Sequence, residues 1–282
     1  MISGLDARVR TGAAILLVIL LAAVFAPLIS PADPFEFGTP YLEPSASHLL
    51  GTNDVGQDIL SELIYGSRVS LIIGVAAAAI ATVAGSSIGM ASGFYGGRTD
   101  SALSWMTNVF MSLPSLPLTV ILVAFLGPGL RNIILAICIT AWTGTARIVR
   151  ASVMQLKELP FIKIEKTMGA GGFYVMWRHI LPNIWEIVFV RAVLAVASAM
   201  LAEAGLSFLG LGVVGLKSWG SILHYAFFRG GLINGCFWWY LPPMFCISLS
   251  VTGFLLLGYR RQPPRITSAG TGTGAGAGGP LR

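Results

Sequence analysis

Six long apolar runs set the terms on which this chain can fold: residues 12–29, 71–94, 103–126, 133–148, 184–206 and 241–259. A helix needs roughly 20 mainly apolar residues to cross the hydrocarbon of a bilayer. Each run therefore reads as a transmembrane helix, the fourth being the shortest. Only 11% of the 282 residues are charged, against about 25% in an average soluble domain. That composition excludes an ordinary soluble domain, a disordered chain and a nucleic-acid-binding domain. The net charge of +6 does not argue for nucleic acid either, because the basic residues sit between the apolar runs, as in membrane proteins. Arg8 and Arg10 precede the first run as they would in a secretory leader. The run is long for such a segment and five more follow it, so it is read as a span.

Lys and Arg near span ends fix orientation, because they are retained on the cytoplasmic side. With the N-terminus inside, the inner segments hold Arg8, Arg10, Arg98, Arg147, Arg150, Lys157, Lys163, Lys166, Arg178, Arg260, Arg261, Arg265 and Arg282. The outer segments hold only Arg68, Arg131, Lys217 and Arg229, together with Asp33, Glu36, Glu43, Asp54, Asp58 and Glu62. Both termini are therefore expected in the cytoplasm.

The chain divides into an N-terminal helix with an extracytoplasmic loop (1–66), a membrane core (67–260) and a Gly/Ala/Thr-rich tail (261–282). The tail is low in complexity and expected to be disordered. In the second run, Gly85, Gly89 and Gly93 are four apart and share one helical face. Small residues in such a row let another backbone approach closely, either within the bundle or across a subunit interface.

Several kinds of chemistry are missing. No Gly-rich loop ends in Gly-Lys-Ser/Thr; Gly215-Leu216-Lys217-Ser218 is only a look-alike. His48, His179 and His224 are far apart and lack metal-ligand spacing. The three cysteines form no paired-spacing motif. No nucleophile elbow or zinc-protease motif occurs, so an intramembrane enzyme has no support. A stand-alone channel or ion-coupled carrier would need a charged file within the spans, which supply only Glu186, Arg191 and Glu203. Glu186 and Arg191 are five apart and do not share a helical face, so each is expected to pair with another helix.

The inner segment after the fourth run is more informative. Pro160 suits a helix start and Gly169 a helix end. Between them and just beyond lie Lys163, Ile164, Glu165, Lys166, Thr167, Met168, Gly169, Ala170 and Gly171, followed by Arg178-His179-Ile180-Leu181-Pro182-Asn183 before the fifth run. This combination resembles the coupling loop of binding-protein-dependent ABC importer permeases. More narrowly, it resembles the second permease subunit of the dipeptide/oligopeptide/nickel importer family. Three other segments agree. His48-Leu49-Leu50-Gly51-Thr52-Asn53-Asp54-Val55-Gly56-Gln57-Asp58 is similar to that family's His-Pro-Leu-Gly-Thr-Asp-x-x-Gly-Arg-Asp. Ala202-Glu203-Ala204-Gly205-Leu206-Ser207-Phe208-Leu209-Gly210-Leu211-Gly212-Val213 is close to its Ala-Glu-Ala-Ser-Leu-Ser-Phe-Leu-Gly-Leu-Gly-Val run. Ser218-Trp219-Gly220 follows at the expected distance. There are departures: Lys163-Ile164-Glu165 stands for Glu-Ala-Ala, Gln57 for Arg, and Tyr259–Pro264 replaces the usual Asp-Pro-Arg ending.

The resemblance implies an all-α membrane protein of six transmembrane helices with the type I ABC importer permease fold, in the inner or plasma membrane of a prokaryote. It implies no catalytic site and no cofactor on this chain, with ATP and Mg on partner subunits. Those partners are a second permease subunit, two ATPase subunits and an extracytoplasmic solute-binding protein, besides membrane lipid. A helix over 163–171 is expected to receive the ATPase, with Ile164 and Met168 filling an apolar cleft. Glu203, Ser207 and Phe208 are expected at the outer end of the solute path, or as contacts to a neighbouring helix. Asp54, Asp58 and Trp219 are expected where the binding protein docks, unless folded onto their own subunit. Peptides, or nickel by the same architecture, are the implied solutes.

Overall fold

The computed structural model describes residues 7–258, apart from the Lys166 side chain. The tail from residue 261 lies outside the described residues. In chain order the helices are α1 (Ala7–Val24), α2 (Ala26–Ile29), α3 (Ile59–Tyr95), α4 (Gly97–Ser112), α5 (Ser115–Leu126), α6 (Leu130–Leu156), α7 (Pro160–Thr167), α8 (Gly172–Leu211), α9 (Trp219–Phe228) and α10 (Phe237–Gly258). α8 carries π-helical turns at Met176–Ile180 and Ser207–Leu211. Among the described residues, five helices are long and apolar enough to cross a membrane, and the bent pair α4–α5 makes up to six.

The third expected span is corrected. Residues 103–126 do not form one helix; α4 and α5 meet at 89°. Pro114 is the cause. The residue before a proline is pushed out of the helical region, and Leu113 is extended (φ −85°, ψ 133°).

α3 and α6 form the central seam. A Cβ placed on Gly85, Gly89 or Gly93 would lie 2.5, 2.5 or 2.8 Å from the carbonyl oxygens of Trp142, Ala146 and Arg150. The glycine row is therefore a packing seam inside this chain, and not the face it offers a second subunit. It brings Arg150 within reach of α4. Arg150 donates twice to Asp100, Nε to Oδ1 at 2.6 Å and Nη2 to Oδ2 at 2.7 Å. Ser92 and Ser104 also donate to Asp100 Oδ1, so one carboxylate ties α3, α4 and α6 together.

α1 joins the bundle through α10: a Cβ on Gly12 would sit 2.7 Å from the Gly253 carbonyl oxygen. Large apolar side chains on the outer faces of the spans stay exposed in the single chain, among them Val18, Val83, Phe125 and Phe245. In a membrane helix such faces meet lipid or another subunit without the penalty they would carry in water.

Candidate functional site

The end of the bundle where α6 leads into α7 carries the segment singled out in the sequence. The helix there spans Pro160–Thr167, not 163–171. Met168, Gly169, Ala170 and Gly171 form the turn that follows it. Gly169 has φ +85°, a conformation that glycine adopts without steric cost. The turn closes by hydrogen bonds from Met168 N to Ile164 O (2.9 Å) and Ala170 N to Glu165 O (3.1 Å), the usual way a helix end satisfies its last carbonyls.

One residue anchors this short helix. Ile162 is fully buried among Phe94, Val149, Val153, Val175, Ile180, Ile184 and Val188, which come from α3, α6 and α8. On the other faces, Ile164 is 57% and Met168 79% exposed. Phe173 and Trp177 continue the exposed apolar surface, stacked at 6.5 Å between ring centroids. Lys163 pairs with Glu158 at 2.9 Å, and Glu165 lies 3.6 Å from His179 Nε2. Only short connections link α7 to α6 and α8. The helix is thus wedged at its base between three spans, with an apolar tip projecting outward.

At the opposite end of α3, the 30–58 loop folds against the segment before α9. Its centre is a buried polar knot. Lys217 Nζ donates to Glu62 Oε1 (2.6 Å) and Gln57 Oε1 (2.7 Å), and Asn53 Nδ2 donates to the same two oxygens (2.9 and 3.0 Å). Sequence reading missed this role for Lys217. The available signal was a lone lysine in an aromatic segment opposite an acidic one. Around the knot, Arg229 pairs with Asp54 at 3.2 Å. Tyr41 donates to the Arg229 carbonyl oxygen at 2.7 Å. Burial, with Asp54 nearby, holds the Tyr41 phenol above its usual range.

Breaking a buried pair leaves the remaining charge desolvated. Lys217→Met is therefore expected to cost about 3 kcal/mol of stability, whereas Lys217→Met with Glu62→Leu costs less than half of that. Melting curves of the two variants in detergent check this.

Two of the residues expected to dock a binding protein are not surface residues. Asp58 is 2% exposed. It caps α3 by accepting from Ser61 N at 2.8 Å, and its other oxygen meets His48 Nδ1 at 3.1 Å. Trp219 is also 2% exposed, and its Nε1 donates to Leu63 O at 2.9 Å. Both are tied up within their own subunit. Asp54 is partly exposed and is engaged by Arg229.

The three residues expected at the outer path are likewise internal contacts in this chain. Glu203 is 1% exposed, accepting from Ser207 Oγ (2.7 Å) and Ser70 Oγ (3.2 Å). Ser207 is buried with it. Phe208 lies in an aromatic cluster with Phe227 and Phe228, and its carbonyl meets His224 Nδ1 at 2.7 Å. Gly220 lets α9 lie flat on α8, since a Cβ there would sit 2.6 Å from Ala204 O. The capping box of Ser218 and Ser221 starts α9 at that point.

Comparison with known proteins gives this arrangement a family. Residues 85–262 match the model of the binding-protein-dependent transport system inner membrane component. The dipeptide transport system permease protein of Bacillus subtilis (strain 168) is 37% identical over 250 residues, covering 88% of this chain and 78% of that protein. The oligopeptide transport system permease protein of the same organism is 39% identical over 217 residues, covering 75% and 70%. The di/tripeptide transport system permease protein of Pseudomonas aeruginosa (strain UCBPP-PA14) is 36% identical over 256 residues, covering 88% and 84%. Among solved structures, an inward-facing form of the MetNI methionine ABC transporter superposes with a TM-score of 0.54 at 19% identity, over 71% of this chain and 96% of that one. That likeness speaks for the fold alone. The expected ABC importer permease fold is therefore present, and the chain belongs to the family of binding-protein-dependent transport system inner membrane components.

Proposed function

We propose that this chain is the permease subunit through which an ATP-driven importer moves di- or oligopeptides, and that α7 is the element that receives the force. The observation that carries the reading is the contrast between Ile162, locked in the core, and Ile164 on the same short helix and Met168 in the turn just after it, both exposed. A partner that grips the exposed tip moves a body whose base is wedged among α3, α6 and α8. Packed interiors transmit such displacement because they deform little.

ATP and Mg belong to two separate ATPase subunits on this reading, and a second permease subunit completes the wall of the path. The charge pattern of the loops supports a cytoplasmic α7. The layer formed by the 30–58 loop and α9 then faces outward, where a solute-binding protein docks on exposed groups such as Phe37, Val214 and Ile233 rather than on Asp58 or Trp219. Peptide as the solute follows from the relatives, whose names specify dipeptides, oligopeptides and di/tripeptides.

The test is co-expression with the partner permease, ATPase and binding-protein genes, followed by reconstitution in liposomes. Dialanine-loaded binding protein is expected to stimulate ATP hydrolysis and drive dialanine uptake. Stimulation by a non-peptide solute alone rejects the peptide assignment and leaves the importer reading standing.

A further inference from the structure

Arg191 stands midway along the 40-residue α8. An arginine is charged at any physiological pH, and a charge at this depth is costly unless it is paired or faces water or protein. Arg191 was expected to pair with another helix. It makes no ion pair or hydrogen bond with any described residue, and its Nε is buried without a partner. Meanwhile Asp100, Glu62 and Glu203, which lie on or beside the spans, are each engaged elsewhere.

The neighbouring helix makes room for this cation. Gly144 lies midway along α6, and a Cβ there would come within 3.0 Å of Arg191 Nη2. Thr140, Gly144 and Arg147 follow one another on one face of α6 at helical spacing, and Arg191, Ala195 and Ser198 do so on α8. All six keep some exposure in the single chain. They are small or polar, unlike the Leu and Phe side chains on the outer faces of the bundle.

We propose that Arg191 lines the solute path in the inner half of the fifth span and receives the carboxylate of the peptide in transit. This rests on the peptide-importer reading above and adds a contact to it. A guanidinium presents a planar fork of donors that matches a carboxylate, and every unmodified peptide carries one at its C-terminus. A cation without a partner among the described residues makes the path favourable to an anionic group inside the span.

The experiment uses the whole reconstituted importer, with saturating dialanine-loaded binding protein, and compares wild type with Arg191→Gln, Arg191→Lys and Gly144→Val. Arg191→Gln is expected to lower dialanine uptake at least about thirtyfold, the scale of losing one partner of a desolvated charge pair. Binding-protein-stimulated ATP hydrolysis stays within about twofold and the melting temperature does not fall, because no ion pair within this chain is broken. Arg191→Lys keeps a substantial part of the uptake, and Gly144→Val loses it by displacing the guanidinium. Full uptake by Arg191→Gln overturns the proposal and leaves the importer reading intact. So does a lowered melting temperature with loss of the second permease subunit on purification, which assigns Arg191 to an ion pair between subunits. A wild-type importer that moves only solutes without a carboxylate overturns both this proposal and the peptide reading.

Discussion

Met168→Asp is expected to abolish the stimulation of ATP hydrolysis by loaded binding protein while leaving this chain folded. Met168 is 79% exposed in the single chain, so a carboxylate there is solvated and strains nothing. On the proposed function the same position would meet the ATPase cleft, where an apolar anchor replaced by a charge at the centre of an interface costs at least about 2 kcal/mol. That corresponds to a loss of more than about tenfold in coupling. Ile164→Asp should behave in the same way. Ile162→Asp should not: that side chain is fully buried, so a charge there unfolds the base of the helix and the protein is lost before coupling can be measured. The melting temperature of the purified chain separates the two kinds of failure.

The second large effect is expected at the seam. Gly89→Leu should prevent the chain from accumulating in a folded form. The space a Cβ would need is already occupied by the Ala146 carbonyl oxygen at 2.5 Å and the Val149 Cβ at 2.9 Å. Backbone cannot step aside as a flexible side chain does, so α3 and α6 must separate, at a cost above about 3 kcal/mol. Separation also pulls Arg150 away from Asp100, which leaves α4 without its main polar tie. Gly89→Ala should show the same effect in smaller measure. Gly171→Ala is the control. Nothing lies within 4 Å of a Cβ at Gly171, and its φ is −64°, so its stability should change by less than about 0.5 kcal/mol. Membrane yield and thermal unfolding of the three variants check this.

Hydropathy was enough to read the spans, because each apolar run in the sequence has a helix in the structure. It failed at Pro114 for a physical reason. Ser112-Leu113-Pro114-Ser115-Leu116-Pro117 stays apolar on average, so a hydropathy count passes over the break that proline imposes on Leu113. The glycine row was legible as a seam, but not its partner, since Trp142, Ala146 and Arg150 are far away in sequence. Asp58 shows a local signal outweighed by a global one. Asp58 followed at three residues by Ser61, just ahead of an apolar run, is a helix start, yet the acidity of the loop suggested a docking surface. Glu203 was recognisable as an ionisable group in a span. Its partner Ser70 lies 133 residues away, and only the fold brings the two together. The signals bounding α7, Pro160 and Gly169, were both legible, yet the expected 163–171 lay too far toward the C-terminus because it ran on through the turn that Gly169 makes. Arg191 is the reverse case: the sequence predicted a partner, and the described residues supply none.

On the proposed function, work is done on this chain by an ATPase acting through α7. The direct measurement is dialanine accumulation in proteoliposomes that contain either the complete importer with ATP inside the catalytic compartment or the permease subunits alone. Accumulation above the equilibrium level only with the ATPase subunits and hydrolysable ATP, and its loss on Met168→Asp, is the predicted result. Concentration of dialanine by the permease subunits without any ATPase would contradict it.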